Sequence, residues 1–551
     1  MKTSLFRTGS AIIAVTLLLG TTAGACTGPG SGPAGGPGRT NVVVVLTDDL
    51  SANLVQYMPN VRALAADGTT FTQYTVTDSL CCPSRSSILT GRFPHNTGVF
   101  TNGGDDGGFH LFQQQQERDT FATTLHGHGY RTAMMGKYLN GYQPQEHGVR
   151  PGWTEWDVAG GGYQEYNYHL NENGTVKHYG RTPEDYLTTV IESKATSFIT
   201  ASAAADEPFL LEVATFTPHG PYVPAPRDEQ AFPGLKAPRG PSFDRLPADP
   251  PAWLAGRQPL TDRQIATIDS AYRKRAQAVQ SIDRMIGNLR QTLDKAGVAD
   301  RTVVVFSSDN GFHLGEHRLA AGKQTAFDHD VHVPLIMAGP GVRRGSTVDA
   351  TVQNIDLRPT FEELGGVPAS PAVDGRSLVP LLRDGRAAGW RSTGLVEHHG
   401  PNNAADDPDK QTPASGNPPT YAALRGPDFT YVEYAGGAKE YYDRSTDPDE
   451  LVNTAGKLPA ERADPLAPAR AVGHRDLHQV AARERAEPAV RRDLDLTGDG
   501  SRAGGVPEQV LREREAGAGD RVVDVTVDAE VLRGAVDLRA RADPADGPAR
   551  A

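Results

Sequence analysis

Cysteine is nearly missing from this chain: three stand in 551 residues, at positions 26, 81 and 82. So small a set offers no disulfide framework, and a protein of this size must hold itself together by its core. Positive charge is in deficit too, with 55 lysines and arginines against 67 aspartates and glutamates and a formal net charge of −12. That balance argues against nucleic-acid binding as the main role, although a cationic pocket can sit within an acidic surface. The apolar run at residues 11–19 is too short to span a bilayer by itself. What the chain does have is length and 38% hydrophobic residues, enough to bury a large core in two or more domains.

The N-terminus reads as an export signal, with Lys2 and Arg7 ahead of the apolar run and small residues following up to Ala25. Ala23-Gly24-Ala25-Cys26 resembles a bacterial lipobox with Cys26 as the lipidated residue, although leucine is usual where Ala23 stands. The resemblance implies an exported lipoprotein on the outer face of a membrane. Secretion after cleavage nearby is the alternative. Residues 27–40, rich in Gly, Pro and Ser, read as a flexible linker.

Residues 41–46 are almost purely aliphatic, as a buried parallel strand requires, and they lead into Thr47-Asp48-Asp49. Two acids directly after a core strand lie at the C-terminal sheet edge, where open α/β sheets place their ligands. Further buried strands are expected at 130–135, 209–215, 302–307 and 333–338, and an extended segment at 71–76. Helices are expected at 58–66, 119–128, 183–201 and 262–296, the last with Ile268, Tyr272, Val279, Ile282, Ile286 and Leu289 near helical spacing. Residues 163–168 and 175–179 flank Asn173-Gly174, a pair preferred in tight hairpins. The turn explains those residues better than the glycosylation sequon that Asn173-Gly174-Thr175 also matches. Residues 224–251 read as an irregular surface segment bordering the pocket.

Alternating strands and helices predict an α/β fold, a large and mainly parallel sheet with helices on both faces, over residues 41–382. Short strands at 395–398, 420–425, 429–434 and 439–443 predict a smaller antiparallel subdomain over 383–457, with a turn at 447–451 before a helix. From 458 to 551 apolar periodicity is lost, and the segment reads as a low-complexity, disordered tail. A calcium loop at 495–500 is rejected because Val506 stands where an acid is needed. A frameshift near residue 462 is one explanation of the tail; the native reading frame is the other.

Between the first two strand regions runs Cys81-Cys82-Pro83-Ser84-Arg85-Ser86-Ser87-Ile88-Leu89-Thr90-Gly91-Arg92. This run resembles the sulfatase signature C-x-P-S-R-x-x-x-L-T-G-R at every defined position, and the resemblance implies a helix opened by this loop with Ser86 to Leu89 as its first turn. The resemblance implies the alkaline-phosphatase-like fold and the oxidation of Cys81 to formylglycine (3-oxoalanine) by a formylglycine-generating enzyme. A hydrated aldehyde carries two hydroxyls on one carbon, one to attack sulfur and one to expel sulfate afterwards.

The same resemblance assigns the remaining polar residues at the strand ends. Asp48, Asp49, Asp309 and Asn310, with position 81, are an all-oxygen set suited to a hard cation, Ca²⁺ or possible Mg²⁺. Arg85 is expected to fix the hydrate. Lys137 and Lys323 match the lysines that hold sulfate and leaving-group oxygens, and His219 matches the histidine that contacts sulfate and protonates the departing alcohol. His313 is expected at the pocket rim as a substrate contact, with a hydrogen-bonded loop histidine as the equal alternative. Many sulfatases carry a histidine where Leu139 stands, so that role is unfilled here or passes to Asn140 or another histidine.

Gly136-Lys137-Tyr138-Leu139-Asn140, Gly152-Trp153, Tyr166-Asn167-Tyr168 and the run from Asp309 to His313 look most like the N-acetylglucosamine-6-sulfatase branch. The expected function is therefore hydrolysis of sulfate monoesters, with a sulfated small molecule or glycan as partner, 6-O-sulfated N-acetylglucosamine in particular. The alternatives are an arylsulfatase or a phosphate or phosphonate monoester hydrolase on the same fold, and a non-catalytic surface lipoprotein that binds sulfated glycans.

Overall fold

The computed structural model describes residues 39–458 apart from 369, 402–406 and 408. The export signal, Cys26, most of the linker and the tail from 459 lie outside these residues. Among the described residues no helix is long and apolar enough to cross a membrane.

The aliphatic run forms the strand Asn41–Thr47, buried throughout. Val42, Val44 and Leu46 join one apolar cluster while Val43 and Val45 join another, because successive side chains leave a strand on opposite faces. A strand apolar on both faces belongs in the middle of a covered sheet. It lies there, paired in parallel with Thr302–Ser308 on one side and Phe209–Ala214 on the other. Arg131–Lys137 and then Glu155–Ala159 extend the parallel set. The full order across ten strands is Ser346–Val348, Thr69–Phe71, Leu335–Ala338, Thr302–Ser308, Asn41–Thr47, Phe209–Ala214, Arg131–Lys137, Glu155–Ala159, Tyr168–Glu172 and Thr175–Tyr179.

Both flanks depart from the parallel pattern. Leu335–Ala338, within the strand expected at 333–338, runs antiparallel to Thr302–Ser308. At the other edge Tyr168–Glu172 and Thr175–Tyr179 form the expected hairpin, its turn made by Asn173 at φ 52° and Gly174 at φ 94°. Residues 163–167 are not strand, however. Gly162–Gln164 is a 3-10 turn, and Glu165 and Asn167 take left-handed backbone angles that a ladder cannot accommodate.

The helix Asp262–Lys295 begins at a Thr261 capping box and covers one face of the sheet through Tyr272, Val279, Ile282, Ile286 and Leu289. Leu187–Ala204 packs on the same face. The opposite face is covered by Cys81–Thr90, Phe121–Gly127 and Leu357–Leu364. Gly394–His398, Tyr421–Arg425, Phe429–Tyr434 and Lys439–Asp443 form a separate four-stranded antiparallel sheet. After the turn at 447–451 only a 3-10 turn, Ala455–Lys457, follows in place of the expected helix within the described residues.

Candidate active site

The parallel strands all end on the same side, and their C-terminal ends deliver Asp48-Asp49, Lys137, the Thr217-Pro218-His219 loop and Asp309-Asn310 to one place. Facing them is the helix Cys81–Thr90. It starts at Cys81, earlier than the first turn expected at Ser86, because Pro83 is tolerated where the helix does not yet need its N–H. Gly91 closes it in the left-handed conformation, φ 67°. The Cys81 side chain therefore stands at the electropositive end of a helix in which every residue is buried.

The expected residues meet around Cys81. Its Sγ lies 3.1 Å from Asp48 Oδ1 and receives a hydrogen bond from Lys323 Nζ at 2.9 Å. Lys323 also donates to Asp49 Oδ1 at 2.7 Å, and Lys137 Nζ donates to Asp48 Oδ2 at 2.6 Å. Arg85 is 2% exposed; its Nε donates to Asp309 Oδ2 at 2.7 Å and its Nη1 to the Lys137 carbonyl at 2.9 Å. Asp309 Oδ1 in turn accepts from the backbone N–H of Asp49 at 3.1 Å and of Asn310 at 2.8 Å. Gly136 sets Lys137 in place: its φ is 97°, and a Cβ there would come within 2.0 Å of the Ala214 carbonyl oxygen.

Ligand atoms of Asp48, Asp49, Cys81 and His219 all lie within 4.8 Å of one another. Asn310 Nδ2 donates to Asp49 Oδ1 at 2.7 Å, while Asn310 Oδ1 is buried with no hydrogen-bond partner among the described residues. Clustered carboxylates and an orphaned amide oxygen are a donor set that fits a hard divalent cation.

His219 comes from the loop after Phe209–Ala214 and is 9% exposed. Its Nδ1 meets the Gly220 carbonyl at 2.7 Å, and its Nε2 meets Asp409 Oδ1 and lies 3.6 Å from Asp49 Oδ2. Burial opposes charging the ring, but Asp409, Asp49 and Asp48 outweigh it and push His219 up to about 9. Burial likewise works against a charge on Lys137 and on Lys323. Asp48 beside the first, and Asp409 and Asp49 beside the second, hold both well above the usual lysine range. Burial, with Asp409 and Asp48 adding to it, lifts the Cys81 thiol well above its ordinary value, so an unmodified Cys81 is a poor nucleophile here.

His313 does not stand at the rim. It is 2% exposed, its Nδ1 is 2.9 Å from both oxygens of Asp330, and its Nε2 is 2.8 Å from the Ser415 carbonyl. With both nitrogens engaged, the ring is a structural tie in its loop. Leu139, at the position where the resemblance implies a histidine, is buried in the apolar cluster, and Asn140 beside it reaches Asp409 Oδ2 at 3.3 Å and Tyr163 Oη at 3.4 Å.

Sequence reasoning missed Asp409. Its Oδ2 accepts from Asn102 at 2.7 Å, and its Oδ1 lies 3.2 Å from Lys323 Nζ. Asn102 and Tyr163 were missed as well; Tyr163 packs on His219 with ring centroids 4.6 Å apart and under Lys137 at 5.1 Å. A cavity of about 370 Å³ opens beside these groups, lined among others by Asn102, Lys137, Asn140, Tyr163, Phe216 and Asp407. Residues 224–251 do not line it.

Comparison with known proteins gives the same reading from another direction. Residues 40–367 match the family model described as sulfatase, and 315–463 the model described as N-sulphoglucosamine sulphohydrolase, C-terminal. The human N-acetylglucosamine-6-sulfatase is 34% identical over 462 residues, covering 78% of this chain and 83% of that protein. The extracellular sulfatase SULF-1 homolog of Drosophila melanogaster is 35% identical over 67% of this chain, which spans 34% of that longer protein. Among solved structures, one in complex with its substrate D-glucosamine-2-N,6-O-disulfate superposes with a TM-score of 0.66 at 23% identity, covering 81% of this chain and 98% of the other. At that identity the likeness is one of fold, as it is for a phosphonate monoester hydrolase from Silicibacter pomeroyi, with a TM-score of 0.59 at 24% identity over 82% and 96% of the two chains.

Proposed function

The chain belongs to the sulfatase family and is a sulfuric ester hydrolase, and from that premise we propose that it removes 6-O-sulfate from N-acetylglucosamine in glycans, using a formylglycine made from Cys81 and a divalent cation, Ca²⁺ or Mg²⁺. One observation carries the reading: Cys81, at the first turn of its helix, lies among Asp48, Asp49 and His219 with ligand atoms within 4.8 Å, and Lys323 reaches it at 2.9 Å. A buried thiol held protonated is a poor nucleophile and a reasonable precursor, and a hydrated aldehyde at the same position supplies the attacking hydroxyl.

The chain's own groups then have distinct tasks. Asp48, Asp49, Asp309 and Asn310 would hold the cation, which when bound neutralises charge on the sulfate and lowers the pKa of a hydroxyl beside it. Arg85, fixed by Asp309 and the Lys137 carbonyl, supplies a buried positive charge near residue 81. Lys137 and Lys323 bind sulfate oxygens in a site where little water weakens the attraction. His219 would hold the proton that the departing sugar oxygen needs, meeting that oxygen through Nε2 when the ester displaces the Asp409 contact. Asn102, Asn140 and Tyr163 line the cavity that would receive the sugar.

The substrate reading is supported by the 34% identity to N-acetylglucosamine-6-sulfatase across most of both chains. Action outside the membrane, after export and with Cys26 lipidated or the chain secreted, agrees with the relatives named extracellular sulfatases. Maturation requires a formylglycine-generating enzyme. The test is side-by-side turnover of 6-O-sulfated N-acetylglucosamine, an aryl sulfate and a phosphate monoester by protein matured with such an enzyme, with and without chelator. The sugar sulfate should be preferred and chelation should abolish turnover. Preference for the phosphate ester, or full activity in chelator, would overturn the proposal.

A further inference from the structure

The helix Asp262–Lys295 sends a charged side chain into the interior behind the site. Arg275 is 0% exposed, yet its guanidinium serves backbone and hydroxyl oxygens instead of a carboxylate. Nη2 donates to the carbonyl of Asp49 and to Ser51 Oγ at 3.2 Å, and Nη1 donates to the carbonyl of Pro218 at 3.3 Å. Phe312 lies under the guanidinium at 4.4 Å and Tyr222 at 5.6 Å, so aromatic faces fix its plane. A charge buried this deeply without a carboxylate bond is costly, and only well-placed hydrogen bonds offset that cost.

The two carbonyls belong to the two loops that matter. Asp49 sits at φ 62°, a left-handed conformation that a non-glycine residue keeps only when its surroundings hold it there. Its peptide groups are pinned on three sides: Asp49 N–H to Asp309 Oδ1 at 3.1 Å, Leu50 N–H to Ser308 Oγ at 2.9 Å, and the Asp49 carbonyl to Arg275. Pro218 immediately precedes His219. Among the described residues Arg275 makes no hydrogen bond to the cavity lining or to Cys81, and it ties the loop after Asn41–Thr47 to the loop after Phe209–Ala214.

We propose that Arg275 is a positioning residue, one guanidinium that fixes both the left-handed Asp49 presented to the cation and the register of the loop carrying His219. This rests on the cation reading above. Lysine cannot replace it in full, because a single ammonium lacks the planar fork that spans two carbonyls.

The experiment uses the full matured chain, Arg275→Lys and Arg275→Met, with Ca²⁺ affinity by calorimetric titration, the thermal shift caused by Ca²⁺, and kcat and KM at saturating Ca²⁺. Arg275→Met should weaken Ca²⁺ binding about tenfold or more, as loss of a group that orients metal ligands does. It should also lower kcat by about 10²-fold through the misplaced histidine while KM moves little. Arg275→Lys should recover part of both. A merely structural role would lower thermal stability equally with and without Ca²⁺ and leave affinity alone. Wild-type Ca²⁺ affinity and kcat in a folded Arg275→Met would overturn the proposal; if that variant does not fold, wild-type values in Arg275→Lys do so. Absence of both Ca²⁺ and Mg²⁺ binding by the unmutated protein would overturn the cation reading, and this inference with it.

Discussion

Replacing Lys323 with methionine separates what this residue does for the fold from what it does for the reaction. Lys323 is 1% exposed and its Nζ lies 2.7 Å from Asp49, 3.2 Å from Asp409 and 2.9 Å from Cys81 Sγ. The carboxylates around it keep it charged, so the substitution removes a full positive charge and leaves Asp49 and Asp409 with less compensation. Breaking a buried pair costs about 3–5 kcal/mol. A divalent cation would recompensate Asp49, so the variant should gain more thermal stability from Ca²⁺ than the unmutated protein does. Catalysis should not be restored by the ion. Losing one preorganised positive group at the transition state costs roughly 10²–10³ in rate, about 2.7–4 kcal/mol. Calorimetry with and without Ca²⁺, alongside kcat/KM on a sugar sulfate at saturating Ca²⁺, reads both numbers. A folded Lys323→Met with kcat/KM within about threefold of the unmutated enzyme would refute the sulfate-holding role.

Two further outcomes test separate parts of the account. His219→Ala should cost about 10²–10⁴ in kcat on a sugar sulfate and much less on an aryl sulfate whose leaving group needs no proton, and equal losses on both would remove His219 as the acid. Glu440, inside the small sheet, accepts hydrogen bonds from Tyr434 at 2.5 Å and from Tyr442, and burial pushes its carboxyl up from 4.5 to about 7. The folded chain keeps that proton where the unfolded chain has lost it. This contribution to stability is complete below 4.5 and disappears as pH rises through about 7. The melting temperature of the unmutated protein should therefore fall relative to that of Glu440→Gln between about pH 5 and pH 8, and parallel curves would contradict the assignment.

Much of the fold was legible because the central strands are aliphatic on both faces. Val42 to Leu46 and Val303 to Phe306 leave little choice but a buried parallel sheet, and the acids that follow each run fall at its C-terminal edge. The helix start at Ser86 rests on the resemblance alone, because the small polar residues and proline before it carry no apolar periodicity; the helix in fact admits that proline in its first turn. The nearness of His313 to Asn310 in sequence leaves a rim residue and a hydrogen-bonded loop histidine equally open, and its contacts with Asp330 and Ser415 favour the second. Asp409 was invisible for a different reason: it meets His219 across 190 positions of chain, from an irregular stretch with no periodicity to mark it. Arg275 looks like an ordinary polar position of an amphipathic helix, and only the left-handed Asp49 opposite gives its burial a purpose.

The proposed chemistry requires residue 81 to act as an aldehyde hydrate within the carboxylate and lysine cluster. Mass analysis of the peptide containing residue 81, on samples matured to different extents and assayed for sugar-sulfate turnover, tests it most directly. Turnover should rise in proportion to the fraction in which the thiol has become an aldehyde, and Cys81→Ala should have none. Full turnover by protein whose Cys81 is an intact thiol would contradict it.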